Sequence, residues 1–223
     1  RAEIFERFGI DYCCAGHMAL REACARLGLE EAAVLRALTE EDARPTDPNE
    51  PDFFHWELER LLDYVLSVHH EYLRSELPAL TILVKRVVAA HSANHPQLKE
   101  LAQAFEFFRE DLEAHLLKEE EVLFPAMREI ALGRKLPAFF RDDLRVPVLI
   151  MEGDHERVEQ ALRFFREVTE GYTAPADACE SWRILVQRLL GLERDIHRHV
   201  HLENQLIHPR AIELAGNPRL RAN

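Results

Sequence analysis

The sequence predicts an all-α protein, an up-down-up-down four-helix bundle preceded by a small N-terminal helical domain. Three observations predict it. Glycine is scarce, 8 in 223 residues, while Leu, Ala, Glu and Arg are abundant, a composition that favours helix almost everywhere. The motif His-x-x-x-Glu-x-x-x-x-x-Pro occurs twice, from His115 to Pro125 and from His199 to Pro209. A His-Glu pair precedes each copy, His70-Glu71 by 45 residues and His155-Glu156 by 44, so the pattern repeats at offsets of 85 and 84 residues. That spacing fits one long helix plus its loop, and helices joined by short loops run antiparallel. A duplicated helical hairpin then brings one histidine per helix to the inside.

Residues 1–42 read as three short helices around a cysteine loop. The first ends at Gly9, a residue suited to a left-handed C-terminal cap. Asp11-Tyr12-Cys13-Cys14-Ala15-Gly16-His17 interrupts, Met18 to Leu27 resumes helical spacing, Gly28 stops it, and Glu30 to Leu38 forms the third helix. Residues 43–52 carry Pro45, Pro48 and Pro51 and almost nothing apolar, which suits a stiff linker and places the domain boundary there.

The bundle, 53–223, follows. Phe53 to Ser75 is expected as its first helix, with Leu58, Leu61, Leu62, Val65 and Leu66 on one stripe and a kink or restart at Pro78. His91 to Pro96 is the turn, and Gln97 to Leu132 the second helix, bent by Pro125. Asp142 to Glu170 makes the third helix, Gly171 to Pro175 a loop, and Ala176 to Ala215 the fourth, interrupted at Pro209.

Composition narrows the function. A formal charge of −12 with no basic cluster excludes a phosphate-backbone binder, so no nucleic-acid partner is expected. No apolar run reaches the roughly 20 residues that cross a bilayer, and nothing within the sequence resembles a secretory signal. Four cysteines, Cys13, Cys14, Cys24 and Cys179, form no disulfide framework, which points to a reducing cytoplasm. The acidic helical surface suits a monomer or a homodimer.

The chemistry is carried by His70, His115, Glu119, His155, His199 and Glu203. On a helix, residues four apart share a face, so each His-x-x-x-Glu presents both side chains to one ligand. Four imidazoles and two carboxylates are too many for one tetrahedral zinc ion. They suit two non-haem iron ions, each with two histidines, both glutamates bridging, an oxo or hydroxo bridge between the metals and an open position for a small molecule. No His-Glu-x-x-His occurs, which removes the zinc-peptidase reading. Asp111, Asp154 and Asp195 lie near site histidines and are candidates to orient them. Glu120 and Glu121 are expected in solvent, as are His55, His91, His95 and His197; His69 and His201 fall on other faces, and Cys24 and Cys179 pack. Vicinal Cys13 and Cys14 are expected as thiols, because a disulfide between neighbours closes a strained ring.

These residues resemble a known family. The bundle is similar to hemerythrin-like domains, and with the N-terminal Asp11-Tyr12-Cys13-Cys14 motif it resembles the repair-of-iron-centres family of di-iron proteins over nearly the whole chain, including His70 before Leu77-Pro78, His115 to Pro125, Met151 to Glu156 and His199 to Pro209. Ala15-Gly16-His17 departs from the two glycines and lysine usual there, and Ile207-His208-Pro209 departs from Leu123-Phe124-Pro125 of the first motif. The resemblance implies a di-iron centre on the six residues named. It also implies repair of iron–sulfur clusters damaged by nitric oxide or oxidants, with damaged iron–sulfur proteins as clients and an electron donor. A thiolate of Cys13 or Cys14 would exchange electrons, nitrosyl groups or iron with the bundle. Two alternatives stay open on the same ligands: a nitric oxide reductase, and a module that binds or senses oxygen or nitric oxide.

Overall fold

The computed structural model describes residues 1–13, 18–43, 51–140 and 143–216. Among them there is no strand, and the fold is a four-helix bundle with a small three-helix unit against its side. Cys14, His17, Asp142 and most of the expected linker lie outside the described residues.

Helices α1 (Ala2–Phe8), α2 (Leu20–Leu27) and α3 (Glu31–Asp42) form the small unit. Gly9 and Gly28 close α1 and α2 at φ 67° and 65°, the left-handed conformation that a Cβ disfavours. Ile10, Cys24 and Val34 are its buried centre. The unit docks through charge and rings: Arg198 donates to Glu6 at 3.1 Å, Arg163 to Asp11 at 3.1 Å, and Tyr12 packs edge-on against His201.

The bundle has four rods. The first is α4 (Leu58–Tyr64) and α5 (Glu71–His91), joined by a π-helical segment, Val65–His70. The second is α6 (Gln97–Lys118) and α7 (Phe124–Ala131), joined by π segment Glu119–Leu123. The third is α8 (Arg145–Val168), and the fourth is α9 (Glu180–Leu202) and α10 (His208–Gly216), joined by π segment Glu203–Ile207. Helix α5 packs on α6 and α9, and α8 packs on both of those.

Several expectations need correction. The first rod begins at Leu58, because Phe53–His55 is a single 3-10 turn and Trp56 turns extended so that its ring joins Phe53 and Tyr64. Pro78 does not restart the helix: α5 runs through it from Glu71 to His91, with the proline on the solvent side, where the carbonyl it leaves unbonded can face water. Pro125 and Pro209 lie where their rods leave the regular α-helix, each just after a π segment. The Phe124 N–H bonds to the Glu119 carbonyl and the His208 N–H to the Glu203 carbonyl, both five residues back. The widened turn absorbs the register change, and each proline then sits in the first turn of a new α segment, where a missing N–H costs little.

Two apolar clusters fill the bundle. One holds Leu73, Leu77, Phe105, Leu112, Phe165, Leu189 and Val200; the other holds Leu61, Val65, Leu123, Phe124, Met151, Leu206 and Ile207. In each rod the change from one cluster to the other falls at the candidate metal residues, so these form a polar layer between two dry ones.

Phe165 is wholly buried against Phe105 and Phe108. Phe165→Ala should lower stability by about 3–5 kcal/mol, measured as a lower urea midpoint, while metal content stays unchanged because the ring packs away from the polar layer.

Candidate metal centre

The six sequence-chosen residues converge. His70 comes from the first rod, His115 and Glu119 from the second, His155 from the third, and His199 and Glu203 from the fourth. All six are at most 2 % exposed, and both glutamates are at 0 %. Their donor atoms fall into two quartets, His70, Glu119, His199 and Glu203, and His115, Glu119, His155 and Glu203, with all donors in each quartet within 4.8 Å of one another. Both glutamates belong to both quartets.

Each carboxylate faces an imidazole from either side. Glu119 lies 3.5 Å from His70 Nε2 and 3.3 Å from His115 Nε2; Glu203 lies 2.9 Å from His199 Nε2 and 3.1 Å from His155 Nε2. The outer ring nitrogens decide what these inner ones can do. His70 Nδ1 donates to Glu120 at 2.7 Å, His115 Nδ1 to Asp154 at 3.4 Å, and His155 Nδ1 to the Asn204 side-chain oxygen at 3.1 Å. An imidazole that donates from Nδ1 and is neutral carries a lone pair on Nε2. His115 Nε2 and His155 Nε2 are 3.2 Å apart beside the two carboxylates.

Buried polar atoms are normally hydrogen-bonded. Here His70 Nε2, both oxygens of Glu119 and Oε2 of Glu203 have no hydrogen-bond partner. A cation between the quartets supplies what these atoms lack, so the donor set fits a metal on its own geometry. Electrostatics point the same way. Burial and the charge of Glu203 push Glu119 up, yet the imidazoles of His115 and His70 hold it down at about 2. Burial pushes His115 down, yet Glu119, Glu203 and Asp154 raise it to about 9. Protons on imidazoles are the charges that a metal would displace.

Around this layer the structure departs from expectation. Glu120 is not solvated: it bonds His70 and is itself held by Arg74. Asp154 does orient His115 and is anchored by Lys118 and Arg157, but Asp195 bonds His69 instead of a site histidine, and Asp111 is exposed. His69 is buried and stacks on His199 with an interplanar angle of 4°. His197 is buried and bonds Glu159 at 2.9 Å, while His91 and His95 pack against Trp182, so only His55 of that group is exposed. Cys24 packs as expected, but Cys179 is exposed at the start of α9, where a hydrogen bond with His91 lowers its pKa.

His208 is 1 % exposed, its ring parallel to His155, and both its nitrogens lack a hydrogen-bond partner. Burial pushes it down to about 4, so it is neutral at ordinary pH. Its sequence signal was the break in the motif match, a histidine where the first copy has Phe124. Cys13 is 2 % exposed, and its carbonyl accepts from the Asn204 side chain at 3.1 Å.

Comparison with known proteins agrees with this geometry. Residues 61–211 match the family described as hemerythrin HHE cation binding domain, and residues 1–42 match a domain of unknown function, DUF542. The iron-sulfur cluster repair protein ScdA of Staphylococcus haemolyticus is 31 % identical over 206 residues, 92 % of this chain and 90 % of that protein. The iron-sulfur cluster repair protein YtfE of Musicola paradisiaca is 32 % identical over 209 residues, 94 % and 89 %. YtfE of Yersinia pestis is 29 % identical over 211 residues, 94 % and 90 %. The bundle is a metal-binding domain, and among the described residues no helix is long and apolar enough to cross a membrane.

Removing an outer partner should loosen a metal ligand without unfolding the bundle. Glu120→Ala and Asn204→Ala should each weaken metal binding by roughly 10–100-fold, read by competition with a chelator, with the helical circular dichroism unchanged.

Proposed function

The chain belongs to the hemerythrin HHE family and to the iron–sulfur cluster repair proteins built on it, and from that premise we propose that it holds two iron ions and repairs damaged iron–sulfur clusters. The observation that carries the reading is the pair of glutamates at zero exposure, each shared by two quartets of donors and each facing imidazoles from two rods. His70 and His199 would hold one iron and His115 and His155 the other, with Glu119 and Glu203 offering a carboxylate to both. A set of four nitrogen and two bridging carboxylate donors leaves coordination room that a single tetrahedral zinc would not need.

Bound iron would supply redox chemistry and an open position for a diatomic ligand such as nitric oxide or oxygen. The chain's own residues set the conditions. Leu73, Leu77, Leu123 and Phe124 wall the layer with apolar side chains, and Glu120, Asp154 and Asn204 fix the imidazoles from outside. Imidazole-rich ligation favours the ferrous state over a strongly oxidising one. Cys13 and Cys14 supply the thiol that meets the damaged client cluster, and the Asn204 side chain links the Cys13 backbone to a ligand histidine.

Elemental analysis of anaerobically prepared protein should find about two irons per chain, falling in both His115→Ala and Glu203→Ala. Zinc in place of the two irons, or iron unaffected by either change, overturns the di-iron reading. Replacing Cys13 and Cys14 together should leave the iron that depends on His115 and Glu203 intact and abolish recovery of a nitric-oxide-damaged iron–sulfur enzyme. Unchanged recovery would remove the cysteines from the mechanism.

A further inference from the structure

A third group of metal-type donors lies outside the bundle centre. Cys13 from the small unit, Glu159 from α8 and His197 from α9 are each buried, and their donor atoms all lie within 4.8 Å of one another. They meet where the small unit docks on the bundle. We propose that Cys13, Glu159 and His197 form a second metal site that takes one divalent transition-metal ion of borderline softness, Zn2+ or Fe2+.

The donor chemistry selects that class. A thiolate, an imidazole and a carboxylate suit a first-row ion that accepts sulfur, nitrogen and oxygen together, and exclude calcium and magnesium, which require oxygen. Three protein ligands leave a fourth position open. Bonds of about 2.0–2.3 Å to a central ion place donors roughly 3.3–3.8 Å apart, so donors now within 4.8 Å of one another need move by about 1 Å or less.

The surroundings are built to hold these donors. Glu159 accepts from Arg163 Nε at 2.8 Å through one oxygen, which fixes the carboxylate and leaves the other on His197 Nε2 at 2.9 Å. The Cys13 thiol donates to Asp11 Oδ1 at 3.4 Å, and the Cys13 N–H donates to the same oxygen at 3.2 Å. The Cys13–Asp11 and His197–Glu159 contacts each run through a proton, on sulfur and on imidazole, and a cation bound to these donors would replace both. His197 is further set by Tyr12, whose ring meets it edge-on. An entry path exists, since a cleft of about 380 Å³ between the small unit and the bundle is lined by Asp11, Glu159, Arg163 and His197. Because one ligand comes from the small unit and two from the bundle, the ion would pin the unit in place.

This proposal goes beyond the di-iron reading and does not depend on it. The bundle centre offers nitrogen and oxygen only, so a sulfur-specific signal separates the two sites. Titrating Co2+ into the full chain should produce a thiolate-to-cobalt charge-transfer absorption that saturates near one ion per chain. Cys13→Ser should abolish it, and Cys14→Ser should retain it. His197→Gln and Glu159→Gln should each weaken the cobalt affinity by roughly tenfold or more, the loss seen even for partners outside the coordination sphere. Zn2+ and Fe2+ should each displace the cobalt signal. Absence of the absorption, its persistence in Cys13→Ser, or unchanged affinity in both His197→Gln and Glu159→Gln would overturn the site. Should Cys13→Ser lose its helical circular dichroism, the other two variants decide.

Discussion

Two carboxylates at zero exposure govern this structure. An ionised carboxylate removed from water costs several kcal/mol unless compensated, and here there are two, close enough to share neighbours. Among the described residues no arginine or lysine pairs with either one; the compensating groups are four imidazoles, one from each rod. That requirement fixes the bundle's symmetry. Each rod must deliver a histidine to the same level, and the second and fourth must add a glutamate one turn later. The apolar clusters above and below then exclude water, which raises the cost of leaving the carboxylates uncompensated. A positive ion in the layer would offset the charges of Glu119 and Glu203 and meet the facing Nε2 atoms of His115 and His155.

The helices adapt to that layer in one recurring way. Three rods carry a π segment, and each segment contains a candidate ligand: His70 at the end of the first, Glu119 and Glu203 at the start of the others. An inserted residue in a helix rotates everything beyond it by about 100° relative to everything before it. Without the insertion, the residues that pack beyond the layer, Phe124, Met127 and Ile130 in the second rod, would come round at a different angle to the bundle axis. The prolines at 125 and 209 fit this arrangement, because a π turn already spends its hydrogen bonds five residues back.

Much of this was legible in the sequence, and the failures have identifiable causes. The repeat at offsets of 85 and 84 disclosed four rods and six ligand-type residues because a helix converts spacing directly into facing. What spacing along one helix could not disclose is contact between helices. Glu120 projects about 100° from Glu119, which reads as solvent in isolation, yet the first rod places His70 Nδ1 there. His197 was misread in the same way, since Glu159 approaches it from another rod. The π segments were invisible for another reason: their residues are ordinary helix formers, and tertiary packing selects the wider turn. His208 did leave a mark, as the one residue type that breaks the match between the two motifs.

Asn204 shows how the small unit and the polar layer are tied into one arrangement. Its side-chain N–H donates to the Cys13 carbonyl, and its side-chain oxygen accepts from His155 Nδ1. The two bonds fix the amide's orientation, since exchanging its oxygen and nitrogen would set donor against donor at His155 and acceptor against acceptor at Cys13. The tautomer of His155 is therefore settled by a backbone carbonyl of the cysteine loop. Moving Cys13 would release the amide, and the released amide would no longer hold the Nδ1 proton that directs the Nε2 lone pair inward. Glutamine, one methylene longer, could not keep both bonds at 3.1 Å without shifting one partner, so asparagine's length is itself part of the constraint.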